Sequence, residues 1–167
     1  MVNRKKAGFL YNMNYSLTYK FDKYIVSISE DVIDILHTFC QDSNEKLEAG
    51  GILIGYFTEY HIFITKVSTP NCYDKRTRYS FVRDKGAAQA IVDYEFLNNS
   101  GSMIYLGEWH THPEDFPTPS FQDKKMIKEH FSKSKLNEPF ILLLIQGIKD
   151  IYLGVYSIDG LYKAQKV

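Results

Sequence analysis

The stretch Glu108-Trp109-His110-Thr111-His112-Pro113, continued by Glu114-Asp115-Phe116-Pro117-Thr118-Pro119-Ser120-Phe121-Gln122-Asp123, carries most of what this chain discloses. It opens inside a strand expected over Met103–His110. Side chains two apart share one face of a strand, so His110 and His112 present both imidazoles to the same side, as two ligands of one ion must. Pro113, Pro117 and Pro119 restrict the loop beyond, which therefore loses little entropy when it folds back. Ser120 and Asp123 have the spacing of a capping box at the start of a helix expected over about 121–134, and the first turn would aim Asp123 at the histidines. Two imidazoles and one carboxylate leave zinc a fourth position for water, the arrangement of catalytic rather than structural sites. With this composition, His-x-His followed by Ser and Asp at both offsets arises by chance about once in a thousand.

Working outward, Tyr15–Phe21 and Lys23–Ser29 alternate and read as strands. A helix is expected over 29–43, with Val32, Ile35, Leu36, Phe39 and Cys40 on its apolar face. After a polar loop, Asp42–Ala49, the pair Gly50-Gly51 opens an apolar strand, Ile52–Phe57, and Tyr60–Ser68 reads as another. Thr69–Arg78 reads as irregular and Tyr79–Val82 as a short strand. Lys85–Asn98 reads as a helix packing Ala87, Ala88, Ile91 and Phe96. Beyond the histidine stretch, Phe140–Ile145 is a nearly continuous apolar run, the mark of a strand buried on both faces. Ile151–Ile158 and Leu161–Val167 complete the sheet. The expected fold is one α/β (α+β mixed) domain over 15–167, a central mixed sheet flanked by about three helices. Residues 1–14 read as a flexible N-terminal arm, because Gly8–Asn14, after the basic Arg4, Lys5 and Lys6, is too short and polar for a leader.

Composition narrows the function classes. The 167 residues are 44% hydrophobic, and 20 Lys and Arg balance 20 Asp and Glu, so nothing favours bulk attraction to nucleic acid. No apolar run reaches membrane-spanning length. Cys40 and Cys72 are too few for a disulfide framework, which points to the cytoplasm. The zero net charge sums unlike segments: +4 over 1–20, −4 over 108–123 and +4 over 124–135. There is no HExxH, GxSxG or GxxxxGK[ST] to support a rival reading.

A metal-dependent hydrolase also needs a base for the attacking water. Glu108 shares the face of His110 and His112, and spacing alone slightly favours it over Glu48, which stands just before Gly50-Gly51. A resemblance decides otherwise. His110-Thr111-His112-Pro113 through Ser120 and Asp123 resembles the H-x-H-x7-S-x2-D motif of the JAB1/MPN/Mov34 (JAMM) metallopeptidases. Glu48-Ala49-Gly50-Gly51-Ile52-Leu53-Ile54-Gly55 resembles that family's upstream Glu and glycine-rich strand. The resemblance implies a JAB/MPN-like domain in which His110, His112 and Asp123 bind one Zn2+, Glu48 is general base and proton shuttle, and Ser120 hydrogen-bonds the developing oxyanion. Glu108 is outside the general motif, and is a position for orienting a histidine ligand or reaching substrate. The string Gly107-Glu108-Trp109-His110-Thr111-His112-Pro113 is most similar to a bacterial JAB-type subgroup found beside E1- and E2-like proteins in antiphage operons. That implies a deubiquitinase-like isopeptidase cutting after the extended C-terminal tail of a ubiquitin-like or E1/E2-conjugated protein. The alternatives are a non-catalytic MPN-type binding module, or a peptidase for small peptides or sulfur-carrier tails. His130 is expected on a solvated helix face; Trp109 and Thr111, pointing away from the histidines, are expected in the core.

Overall fold

The computed structural model describes residues 10, 12–136 and 138–167. Most of the segment read as an N-terminal arm, residues 1–9 and 11, lies outside them. At its end Leu10 is fully buried and Met13 packs beside it. Eleven strands and three helices are described: β1 Tyr15–Phe21, β2 Tyr24–Ser29, α1 Glu30–Thr38, β3 Gly50–Thr58, β4 His61–Val67, β5 Lys75–Arg76, β6 Phe81–Val82, α2 Lys85–Asn98, β7 Ile104–Thr111, α3 Phe121–Lys133, β8 Phe140–Gln146, β9 Ile151–Ser157, β10 Gly160–Lys163 and β11 Gln165–Lys166. Nine strands form one mixed sheet, ordered β10-β9-β8-β7-β3-β4-β2-β1-β11, while β5 and β6 make a separate hairpin. The mixed α/β architecture around one large sheet is the one expected. No helix among the described residues is long and apolar enough to cross a membrane.

Strand alternation divides the interior. In β8, Leu142 and Leu144 face a core shared with Val32, Ile33 and Leu36 of α1. Ile141, Leu143 and Ile145 face the other way, onto Ile127 of α3. Every residue of β8 is buried, as its unbroken apolar run predicts. On β3, Leu53 joins the α1 side, while Ile52 and Ile54 meet Ala88 of α2. So α1 covers one face of the sheet, and α2 and α3 cover the other.

Four expectations need correction. The helix begins at its cap Ser29 but stops at Thr38, not 43. Beyond it Cys40 bonds the Gly147 carbonyl and Gln41 bonds the Arg78 carbonyl, so tertiary partners outcompete another helical turn. Phe96 is 45% exposed; the buried stripe of α2 runs through Ala88 and Glu95, with Ile91 and Val92 partly covered. Thr69–Arg78 is not wholly irregular, since Lys75 and Arg76 pair with Val82 and Phe81. Leu161–Val167 is two strands. Buried Ala164 donates to the Leu153 carbonyl at 2.9 Å, and the chain then crosses to pair Gln165 and Lys166 with β1. The two ends of the sheet are thereby drawn together.

Candidate metal centre

Central strands β3 and β7 build the site. They run antiparallel with Gly50 opposite His110 and Gly51 opposite Trp109. Trp109 is 1% exposed and packs on the α1 side, so Glu108 and His110 face α2 and α3. Past the strand end, the His112 amide donates to the Gln146 carbonyl at 3.0 Å, keeping His112 in register with β8. A bulge lies just before these residues, where the β3–β7 register shifts. Gly107 stands there because any side chain would strike the Leu142 carbonyl oxygen.

Asp123 arrives from α3. The capping box is complete: the Asp123 amide donates to Ser120 Oγ at 3.1 Å, and the Ser120 amide donates to the Asp123 carboxylate at 2.6 Å. The carboxylate lies 3.0 Å from His110 Nε2 and 3.3 Å from His112 Nε2, and the two Nε2 atoms are 3.1 Å apart. A tetrahedral ion with arms of about 2.0–2.1 Å has edges of about 3.3–3.4 Å, so these donor spacings fit one small divalent ion. All three residues are largely buried. Desolvation works against the Asp123 carboxylate, but hydrogen bonds from both histidines hold it well below the usual range. Burial likewise opposes protonation of His112, yet its bond to Asp123 leaves that imidazole raised overall. His112 Nδ1 is buried without a hydrogen-bond partner among the described residues, and the Glu114 carboxylate lies 3.8 Å away.

Glu48 is brought in by pairing across the sheet. The Thr111 amide donates to the Ala49 carbonyl and the Ala49 amide to Thr111 Oγ1, which extends the register so that Glu48 faces His112. Its own backbone is held on both sides: its amide donates to the Thr77 carbonyl and its carbonyl accepts from Arg76 Nε, each at 2.8 Å. Its carboxylate has no hydrogen-bond or ion-pair partner among the described residues. Burial pushes it up to about 7, against the pull of His110 and His112.

Glu108 is occupied. Arg83 grips it with two bonds of 2.8 Å, Tyr105 donates to it at 2.5 Å, and His130 Nδ1 lies 3.6 Å away. It therefore orients neither histidine ligand, contrary to one expectation. His130 is not on a solvated face either: its Nδ1 accepts from Arg83 at 3.2 Å and burial lowers it, leaving a neutral ring. Trp109 and Thr111 are buried as expected, but Thr111 serves as a polar anchor, its hydroxyl donating to Gln41 Oε1. Glu48, Glu108, His110, His112, Ser120 and Asp123 all line one groove of about 470 Å³. Sequence reasoning missed Gln41, Arg76 and Arg83. Gln41 falls at the end of the helix expected over 29–43 and the two arginines in stretches not read as regular structure, and the partners that matter lie far along the chain.

Comparisons with known proteins place the chain in a family. A family model described as prokaryotic homologs of the JAB domain matches residues 29–153. The chain is 39% identical over 146 residues to a "CD-NTase/cGAS isopeptidase" of Escherichia coli, covering 87% of this chain and 90% of that one. It is 35% identical to a protein of the same name from Vibrio cholerae, covering 78% and 81%. A "probable metalloprotease" of Sinorhizobium fredii is 30% identical over 60% of this chain and 64% of that one. In shape it is similar to the solution structure of a Desulfitobacterium hafniense protein, with a TM-score of 0.61 at 18% identity, over 84% of this chain and 90% of that one. The three gathered donors, a family match over most of the chain and relatives aligned nearly end to end place it together: this chain belongs to the prokaryotic JAB family, as a metal-dependent hydrolase of the JAMM type.

Proposed function

We propose that the protein is a zinc isopeptidase that hydrolyses the amide bond joining the C-terminal tail of a conjugated protein to its target, with Glu48 as base. The names of its relatives support a substrate with an isopeptide linkage, resembling a CD-NTase conjugate; the reading extends to a bacterial antiphage conjugation system in the cytoplasm. The observation that carries the reading is the unpaired Glu48 carboxylate, in the same groove as the His110, His112 and Asp123 donors.

Zinc held by His110, His112 and Asp123 would polarise the scissile carbonyl and bring the pKa of a water to about 7. Glu48 takes the proton of the attacking water. Partial burial, which raises its basicity, and freedom from other partners suit it to that task. It then hands the proton to the departing amine, a lysine side chain in an isopeptide. Ser120 Oγ accepts from the Asp123 amide, which leaves its own O–H free to donate to the oxyanion of the tetrahedral intermediate. The clamp of Arg76 and Thr77 on the Glu48 backbone fixes where that carboxylate can reach.

The test is to incubate wild type and Glu48→Gln with tail-conjugated proteins and read the products by intact mass. Wild type should cut after one defined tail residue and lose activity to a chelator, with zinc restoring it. Glu48→Gln should bind zinc and cut about 10²–10⁴-fold more slowly. A fully active Glu48→Gln would overturn the assignment.

A further inference from the structure

A second cavity of about 510 Å³ lies between α2 and α3 and opens beside the metal groove. The two share Arg83, Lys85 and His130 in their walls, so the second cavity adjoins the metal groove. Its floor is apolar, made in part by Ile52, Ala88 and Val92, and its rim carries Lys85, Lys133 and Lys135. Arg83 adds little net charge, because Glu108 neutralises it with two 2.8 Å bonds. Glu129 also lines the cavity and offsets part of the lysines' charge. Lys133 meets Glu129 only at 3.5 Å in an exposed pair, the kind that contributes little. Neither Lys85 nor Lys135 has an ion-pair partner among the described residues. The metal-bearing stretch 108–123 has a net charge of −4. Pairing of Glu108 with Arg83 and of Asp115 with Lys149 offsets much of that charge, so what draws an acidic segment is the lysine rim itself.

We infer that this cavity is a substrate subsite, which takes an acidic, partly apolar segment of the conjugate close to the scissile bond. The inference rests on the isopeptidase reading and adds the substrate chemistry to it. Carboxylates of the segment meet Lys85, Lys133 and Lys135 at the rim, while its apolar side chains lie on Ile52, Ala88 and Val92. The basic run 124–135, surplus to the metal chemistry, thereby gains a role through its last two lysines.

The test measures binding, so it does not depend on turnover. Two fluorescein-labelled short peptides are titrated against the full chain by anisotropy, one alternating Glu and Leu and one with Gln for each Glu. The Glu peptide should bind about tenfold tighter, a margin that shrinks with added salt. The double variant Lys133→Glu/Lys135→Glu should abolish that preference with its melting temperature little changed. The double variant Lys124→Glu/Lys128→Glu makes the same charge change on α3 outside both cavities, and should keep the preference. Equal binding of the two peptides, or equal losses in the two double variants, overturns the inference. Preferential binding without any cleavage of conjugates would leave the subsite standing and remove the isopeptidase reading instead.

Discussion

The two carboxylates that flank the histidines occupy opposite situations. Glu108 stands on the same strand as His110 and is held by Arg83 and Tyr105, with His130 alongside. Glu48 comes from a loop far upstream, and it is the backbone around it that is held while the carboxylate stays unengaged. Closeness along the chain delivers a group to a site, but its partners decide whether it can accept a proton. The saturated carboxylate builds the wall of the groove; the unsaturated one is available for chemistry.

The largest effect separating them is on rate. Glu48→Gln should slow cleavage roughly 10²–10⁴-fold, the range for loss of a general base, while metal content by elemental analysis stays at wild-type level. Next comes stability. Arg83→Ala leaves the Glu108 carboxylate, 5% exposed, without its cation, and should cost about 3–5 kcal/mol in chemical denaturation. Arg83→Met combined with Glu108→Leu should recover much of that loss; a single variant as stable as wild type would show that Glu108 is not held as described.

A smaller effect separates them by pH in the metal-free protein. Burial lifts Glu48 from 4.5 to about 7. Between those values the folded chain keeps a proton that the unfolded chain has released, so this group lowers stability as pH rises through the window. Glu48→Gln cannot ionise and lacks that slope. Denaturation curves of metal-free wild type and variant should converge near pH 4.5 and diverge by about pH 7, with the variant the more stable; parallel curves would contradict an unpaired, buried Glu48. The smallest effect is expected at Glu108→Gln, which should stay within about tenfold of wild-type cleavage, since the amide oxygen it introduces would still accept hydrogen bonds from Arg83 and Tyr105. A complete loss there, with metal retained, would make Glu108 the base.

What was legible in the sequence was local. His110 and His112 share a face by strand alternation, and Ser120 with Asp123 three positions on signals a helix start; both features survive intact. The unbroken apolar run of β8 announced a strand covered on two sides. Spacing could not choose Glu48 over Glu108, because the choice depends on how β3 pairs with β7 and on Arg76, Thr77 and Arg83, which lie in and just beyond a stretch that reads as irregular. His130 was misread for the same reason. Its helix position looks solvated until Arg83 and Glu108 arrive from two other elements. Phe96 failed differently: the buried stripe of α2 lies one position away, where Glu95 meets Lys66 at 2.8 Å.

The proline-bearing loop that carries the chain from His112 to Asp123 is fastened to the turn between β8 and β9. The Ile148 amide donates to the Glu114 carbonyl, and the Lys149 and Asp150 amides donate to the Asp115 carbonyl. Turn amides at a surface ordinarily trade their protons with solvent almost freely, but these three can do so only when the loop lifts. Deuterium uptake at Ile148, Lys149 and Asp150 is thus a clock for opening of the metal loop, readable without substrate. A metal held by His110, His112 and Asp123, as proposed, would tie both ends of that loop to one ion and should slow the clock, while amides at the far end of the sheet keep their pace.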